Sequence, residues 1–360
     1  MNRYFSCIGF YLVSALISGY ADNHRFNIDK YGPWIDEAIE QGGQHKDAKS
    51  LAQKIGTDFF ADRDPHDLVR WVEQGLKATN LHDFDKRKTL LTGLDLAVII
   101  DQHNEFRHVL DHRVRTTRQV FEHIRNTKPQ GLRLYKLYNE GVVLRNPSLT
   151  VGIDIVLDPR NRYLKVEEIC DILFVSHEHS DHYDNWLVNE MKRLDKTVIF
   201  PNDDSTISVN ELLKDGKFKS LDWSAYKGVH VGTKFSNFFV LEIKGIKIVH
   251  SGDNTRWLKF CESEASKNID VLLFKPEALF LDDEANGMAE KSGKERHRVA
   301  LEETMKALNA KIVIPHHLLE IAGHNIHGYS HNVGFRARPY LPQGTDLLAL
   351  HWGESFLIIE

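Results

Sequence analysis

The sequence predicts an α/β chain in two parts: a helical front over residues 22–130, then a layered αβ domain over residues 131–360. Three observations support this. Apolar residues recur at helical spacing from about Ile28 to Asn126. Beyond Gly131 short β-rich runs alternate with helical segments, the pattern of strands layered with helices. The chain is 360 residues long and 42% hydrophobic, enough for one large core or two smaller ones and unlike a disordered or fibrous protein.

The first 21 residues, MNRYFSCIGFYLVSALISGYA, carry Arg3, an apolar run from Tyr4 to Ile17, and Gly19 and Ala21 at the small-residue positions of a cleavage site. They read as a secretory signal peptide cut after Ala21, which predicts a secreted or periplasmic protein. No later stretch is apolar enough to span a bilayer, so none is expected in the mature chain. Cleavage leaves Cys170 and Cys261, too few for a disulfide framework, and both are expected as free, buried thiols.

In the helical front, Asp64 can cap and Pro65 fits the first helical position of DPHDLVRWVEQGLKA, where Leu68, Trp71, Val72 and Leu76 share a face. PWIDEAIEQ, DAKSLAQKIGTDFF and KRKTLLTGLDLAVII show similar periodicity. In EFRHVLDHRVRTTRQVFEHIR, Glu105 to Arg125, the apolar side is Phe106, Leu110, Val114, Phe121 and Ile124. Arg107, Arg115, Arg118 and Arg125 are read as its solvated face. The eight histidines before residue 130 lack ligand spacing and are read as surface or packing residues.

The expected strands lie in LRLYKLYNEGVVLR, LTVGIDIVLD, CDILFVS, KTVIFP, NFFVLEIKGIKIVHSGD, IDVLLFK, AKIVIPHH and DLLALHWGESFLII. A formal charge of -5 sets up no global field, so no nucleic-acid partner is indicated.

The chemistry concentrates in FVSHEHSDHYDN, Phe174 to Asn185, directly after a buried apolar run. Alternate residues of extended backbone face one side, so His177 and His179 can aim at one point. Asp181 and His182 are adjacent, and a turn into the following helix would direct them to a second point nearby. This suggests two metal ions. The donors are nitrogen and oxygen without thiolate, a set suited to zinc, manganese or iron. Glu178 and Asp184 are expected to face away or to support the loop.

His177-Glu178-His179-Ser180-Asp181-His182 resembles the HxHxDH signature of metallo-β-lactamase-fold hydrolases, and the resemblance extends over roughly Leu132 to Glu360. It implies a four-layer αββα sandwich with a dinuclear metal site at the edge between two sheets. It also implies further ligands: His230 in GVHVGTKFSNFF, Asp253 of the Gly-Asp pair in IVHSGDN as a bridge, and one of the tandem His316 and His317 after KIVIP. A Pro-x-His pattern in lactonase-like and phosphodiesterase-like relatives favours His317, with His316 behind it. His250 is read as strand packing or support for a ligand. Asp158 in IVLDPRN resembles the aspartate that ends an early strand of this fold, and Asn139 a turn or supporting residue.

The implied activity is hydrolysis of a phosphodiester, lactone or related ester or amide bond by a hydroxide held between two divalent ions, zinc first among them. The implied substrate is a small molecule or lipid-like compound. Asp181 is placed to orient the attacking hydroxide. The loop EIAGHNIHGYSHN offers His324 and His327 as acids for the leaving group, with Tyr329 and His331 nearby. The histidine at position 179 argues against the flavodiiron branch, which carries a carboxylate there, and Asp253 argues against true β-lactam hydrolysis. A mononuclear iron oxygenase acting on a thiol or persulfide, and a non-catalytic metal-binding protein, are the alternatives.

Overall fold

The computed structural model describes residues 65–101, 107–200, 212–228, 230, 236–254, 257–275, 293–318, 320–322, 325–327, 331, 335 and 337–359. The signal peptide, the two helices expected before residue 65, and His324 lie outside the described residues. Among the described residues no helix is long and apolar enough to cross a membrane.

The front contains α1 (Pro65–Ala78), α2 (Phe84–Asp101) and α3 (Arg107–Asn126). The buried face of α3 is Val109, His112, Thr116, Thr117, Val120, Phe121 and Ile124. This stripe is turned from the expected one, and Leu110 and Val114 are only half-buried. The cause is polar pairing: His112 is buried because its ring nitrogens meet Glu73 of α1 and His351. Arg115 leaves the expected solvated face to pair with the same Glu73.

Two sheets follow. The first is ordered β15-β1-β2-β3-β4-β5, built from β1 (Leu132–Lys136), β2 (Val142–Asn146), β3 (Leu149–Ile153), β4 (Ile172–Phe174), β5 (Thr197–Ile199) and β15 (Ser355–Ile359). The second is ordered β14-β11-β10-β9-β8-β7-β6, from β6 (Leu212–Phe218), β7 (Leu221–Gly228), β8 (Ser236–Ile243), β9 (Ile246–His250), β10 (Val271–Phe274), β11 (Ile312–Pro315) and β14 (Asp346–Leu347). A small hairpin, β12 (Glu320–Ala322) and β13 (Asn325–His327), stands apart. The hairpin of β6 and β7 has no counterpart among the expected runs. Its turn at Lys219 takes φ 53 without a glycine or asparagine to announce it.

Strand alternation assigns the layers. Leu134, Leu144, Val151 and Phe174 of the first sheet meet Trp223, Phe239, Leu241 and Leu273 of the second in one central core. Intervening residues face outward. Tyr135, Val143 and Leu173 pack with Phe121 and Ile124 of α3 and with Leu187 and Met191 of α5 (Asn185–Arg193); α4 (Val166–Ile169) joins the same layer. On the far side Phe238, Val249, Leu272 and Val313 pack with Trp257 and Phe260 of α6 (Trp257–Cys261) and with Leu301 and Met305 of α7 (Gly293–Leu308). The result is the expected αββα sandwich. Phe174 meets Trp223 and Phe239 edge-on at 5.6 and 5.1 Å, so truncating it to alanine would cost about 3–5 kcal/mol.

Strand direction positions the site. β3, β4 and β5 run parallel, with Ile153 opposite Phe174 and Phe174 opposite Ile199. β9, β10 and β11 also run parallel, with Leu273 opposite His250 and Phe274 opposite Pro315. The carboxyl ends within each set therefore share an edge, and the residues just past them are brought together.

Candidate metal centre

The loop after β4 is built to present histidines. Its backbone turns where His182 and Tyr183 donate their N–H groups to the His179 carbonyl at 3.0 and 2.8 Å. Asp184 then caps α5 by accepting from the N–H groups of Trp186 and Leu187, while Glu178 points to solvent. His177, His179 and His230 form one group whose donor atoms all lie within 4.8 Å of one another. Glu140, His182, Asp253 and His317 form a second.

Asp253 stands between them. Its Oδ2 lies 3.4 Å from His230 Nε2, 4.0 Å from His177 Nε2 and 3.4 Å from His317 Nε2, while its Oδ1 lies 3.3 Å from His182 Nε2. Asp181 Oδ2 approaches His182 Nε2 at 3.0 Å and His317 Nε2 at 3.3 Å. The tandem histidines diverge: His317 reaches Asp181 and Asp253, whereas His316 turns behind them towards Glu140, His250 and the Ser251 hydroxyl. His317 achieves this with a left-handed backbone, φ 57, a conformation rare for a side chain of its size. His250 accepts from the Gly252 N–H and faces the Glu140 carbonyl at 3.2 Å, which makes it a packing residue.

Two glycines allow the close approaches. Gly252 has φ 50, and a Cβ there would lie 2.8 Å from Ser176 Cβ. A Cβ on Gly228, at the end of β7 and two residues before His230, would fall on the Asn254 side chain.

The supporting aspartate is Asp154, which corrects the expectation for Asp158. Strand β3 ends at Ile153, so Asp154 is the residue that leaves its edge, and it is fully buried. It accepts from the Ser176 N–H and hydroxyl at 2.7 Å and from His182 Nδ1 at 2.9 Å. Asp158, four residues on, instead caps the 3-10 turn Pro159–Leu164 and pairs with Arg160. Asn139, at the tip of the β1–β2 hairpin, donates its amide to Asp181 Oδ2 at 2.9 Å.

The donor set fits a divalent cation. His177 Nε2, His182 Nε2 and Asp253 Oδ1 are buried and lack a hydrogen-bond partner, an expensive condition unless an ion completes them. Burial, then the charge on His182, holds His177 well below the ordinary histidine range, and burial brings His230 down to about 4, so both offer lone pairs at neutral pH. Burial opposes ionisation of Asp181 and Asp253, but the surrounding histidines, with Lys275 for Asp253, outweigh it and hold both carboxyls below their usual range.

Three participants carry no recognisable sequence signal. Glu140 is buried beside Asp253; burial and that neighbour raise its carboxyl well above the usual range. Lys136 is buried behind it, its ammonium pushed down to about 7 by burial. Lys275 directly follows β10 and places Nζ 2.7 Å from Asp253 Oδ2.

Of the expected acids, His327 ends β13, paired with Glu320 of β12. His331 is withdrawn from the centre: it is buried, with its N–H and Nδ1 on Asp95 of α2.

Residues 148–317 match the family model described as a beta-lactamase superfamily domain. No curated protein matches the chain. Solved structures similar to it include a metallo hydrolase from the archaeon Ignicoccus hospitalis, 11% identical, covering 62% of this chain and 97% of that one at a TM-score of 0.42. Isothiocyanate hydrolase from Delia radicum gut bacteria is 15% identical, with 62% and 98% covered and a TM-score of 0.44. A diiron β-hydroxylase from Streptomyces venezuelae is 14% identical, with 64% and 55% covered and a TM-score of 0.43. No activity follows from likenesses this distant. The family match and the two-sheet sandwich agree: residues 148–317 match a beta-lactamase superfamily domain and lie within the αββα sandwich of the metallo-β-lactamase type.

Proposed function

We propose that the chain is a metal-dependent hydrolase that cleaves a phosphodiester, lactone or related ester or amide bond in a small-molecule or lipid-like substrate. The observation that carries this is the pair of donor groups, the partly buried His177–His179–His230 and the buried His182–Asp253–His317 with Asp181 beside it, meeting at Asp253. They would hold two divalent ions, zinc first among the candidates and manganese or iron as the alternatives, given donors of nitrogen and oxygen only. When bound, such ions supply Lewis-acid polarisation and acidify a coordinated water towards neutrality.

The chain's own residues do the rest. Asp181 keeps its position through the Asn139 amide and presents its carboxylate to accept an O–H of the attacking water. Asp154 fixes the ring of His182 directly and that of His177 through Ser176. His327, with His324, is assigned the proton for the leaving group. In support, the β12–β13 hairpin begins three residues after His317.

The test is metal analysis of the mature protein joined to a hydrolase screen, with His179→Ala as control. Stripped protein is reloaded with zinc, manganese or iron and offered phosphodiester, lactone and amide substrates. Turnover that depends on metal and is lost in His179→Ala is expected. Inactivity with every metal and substrate class would sink the proposal, and a single iron with oxygen uptake would replace it with an oxygenase.

A further inference from the structure

The second donor group already contains a cation. Lys275 leaves β10 between the two strands that deliver Asp253 and His317, since Leu273 lies opposite His250 on β9 and Phe274 opposite Pro315 on β11. Its backbone N–H is tied to the Ser251 hydroxyl at 3.2 Å. The side chain is 5% exposed, with Nζ 2.7 Å from Asp253 Oδ2 and 3.5 Å from His317 Nε2. A lysine needing only charge neutralisation would ordinarily turn its head to water. Here the strand register holds it inside, against two donors expected to share a metal ion.

Those positions compete. An ion ligated by Asp253 and His317 would stand about 2.0–2.2 Å from each donor, within the volume that the ammonium approaches. Two cations so close, with little water between them, repel strongly. Nζ meets the Asp253 Oδ2 that also faces His230 and His177, so it is the contact with His317 Nε2 that puts this competition on the His182–His317 side, the three-histidine group being assembled from His177, His179 and His230.

We infer that Lys275 and a second divalent ion are alternative occupants of the space between Asp253 and His317. The centre then loads in two unequal steps: one ion held tightly by His177, His179 and His230, and another that binds weakly because Lys275 must first withdraw. This rests on the proposed reading of both groups as metal sites, and it concerns stoichiometry and affinity rather than turnover.

The experiment is a zinc titration of the metal-stripped full chain without substrate, followed by calorimetry, with bound metal counted after dialysis. The wild-type protein should show one tight equivalent and a second that is weaker by about tenfold or more, the scale of a like charge within a few ångströms. Lys275→Met should tighten the second equivalent by about the same factor and leave the first unchanged, which also verifies that the variant folds. Lys275→Arg, which keeps the charge, should leave the second weak. Two equally tight equivalents in the wild type would overturn the inference, as would an unchanged second equivalent, or loss of the first, in Lys275→Met. A wild-type chain that binds no zinc at all would remove the metal reading itself, whereas an inactive chain with unequal steps would leave this inference standing.

Discussion

Asp154 accepts the Nδ1 proton of His182 at 2.9 Å and, through the Ser176 hydroxyl, also supports Nδ1 of His177. A carboxylate only accepts, so Nδ1 of His182 carries a proton, and it is Nε2 that faces the centre. One carboxylate therefore sets the orientation of a histidine in each donor group. Asp154→Asn should lower metal affinity about 10–100-fold with the secondary structure intact, read by calorimetry alongside circular dichroism. Unchanged affinity would relegate Asp154 to packing.

Asn139 offers a cleaner separation of chemistry from binding. Its backbone is left-handed, φ 51, so Asn139→Gly removes the amide that holds Asp181 without straining the turn. We expect unchanged metal content and a kcat reduced by about tenfold, less than the loss of a general acid or base itself would cost. Loss of metal together with activity would show that the amide supports ligation instead.

Both described cysteines should be chemically silent. Burial pushes the thiols of Cys170 and Cys261 up to about 12, leaving almost no thiolate at pH 8. Iodoacetamide should label neither in the folded protein and both in denaturant, as peptide mapping would reveal.

Acid should weaken the junction between α3 and the sheet that carries β15. His112 Nε2 and His351 Nε2 meet at 2.5 Å with their rings stacked, and burial depresses both below the ordinary 6.5. For His112 this depression persists against Glu73, while Arg115 adds to it; for His351, Arg87 and His331 add to it. A depressed folded-state pKa means that this contribution is complete above about 6.5 and is lost as pH falls below that value. Thermal melts should therefore shift down between pH 7 and pH 5, and less so in His351→Gln. Equal shifts in both proteins would place the acid sensitivity elsewhere.

Local chemistry made part of this legible. His177, His179, Asp181 and His182 lie within six residues of one loop, so their convergence depends on little beyond backbone alternation. Asp253 was reachable through the resemblance, which asks for a strand ending in Gly-Asp, a short pattern too. Asp154 was missed because its role depends on where β3 ends, and IVLD extends the apolar run past that point. Lys275 and Glu140 were missed because strand order, not sequence distance, brings them to Asp253. The β6–β7 hairpin was missed because its turn lacks the usual residues, and the α3 face because buried His112 and two buried threonines interrupt its apolar stripe.

The convergence of strand ends has a mechanical side. His177, His179 and His182 hang from the first sheet, and His230, Asp253 and His317 from the second, so an ion gripping both sets acts as a rivet through the open end of the sandwich. Binding and folding then become one thermodynamic quantity: metal at 100 times its Kd adds about 2.7 kcal/mol to the stability of the whole molecule. A chelator would withdraw the rivet, and the two sheets would be free to part first at that edge.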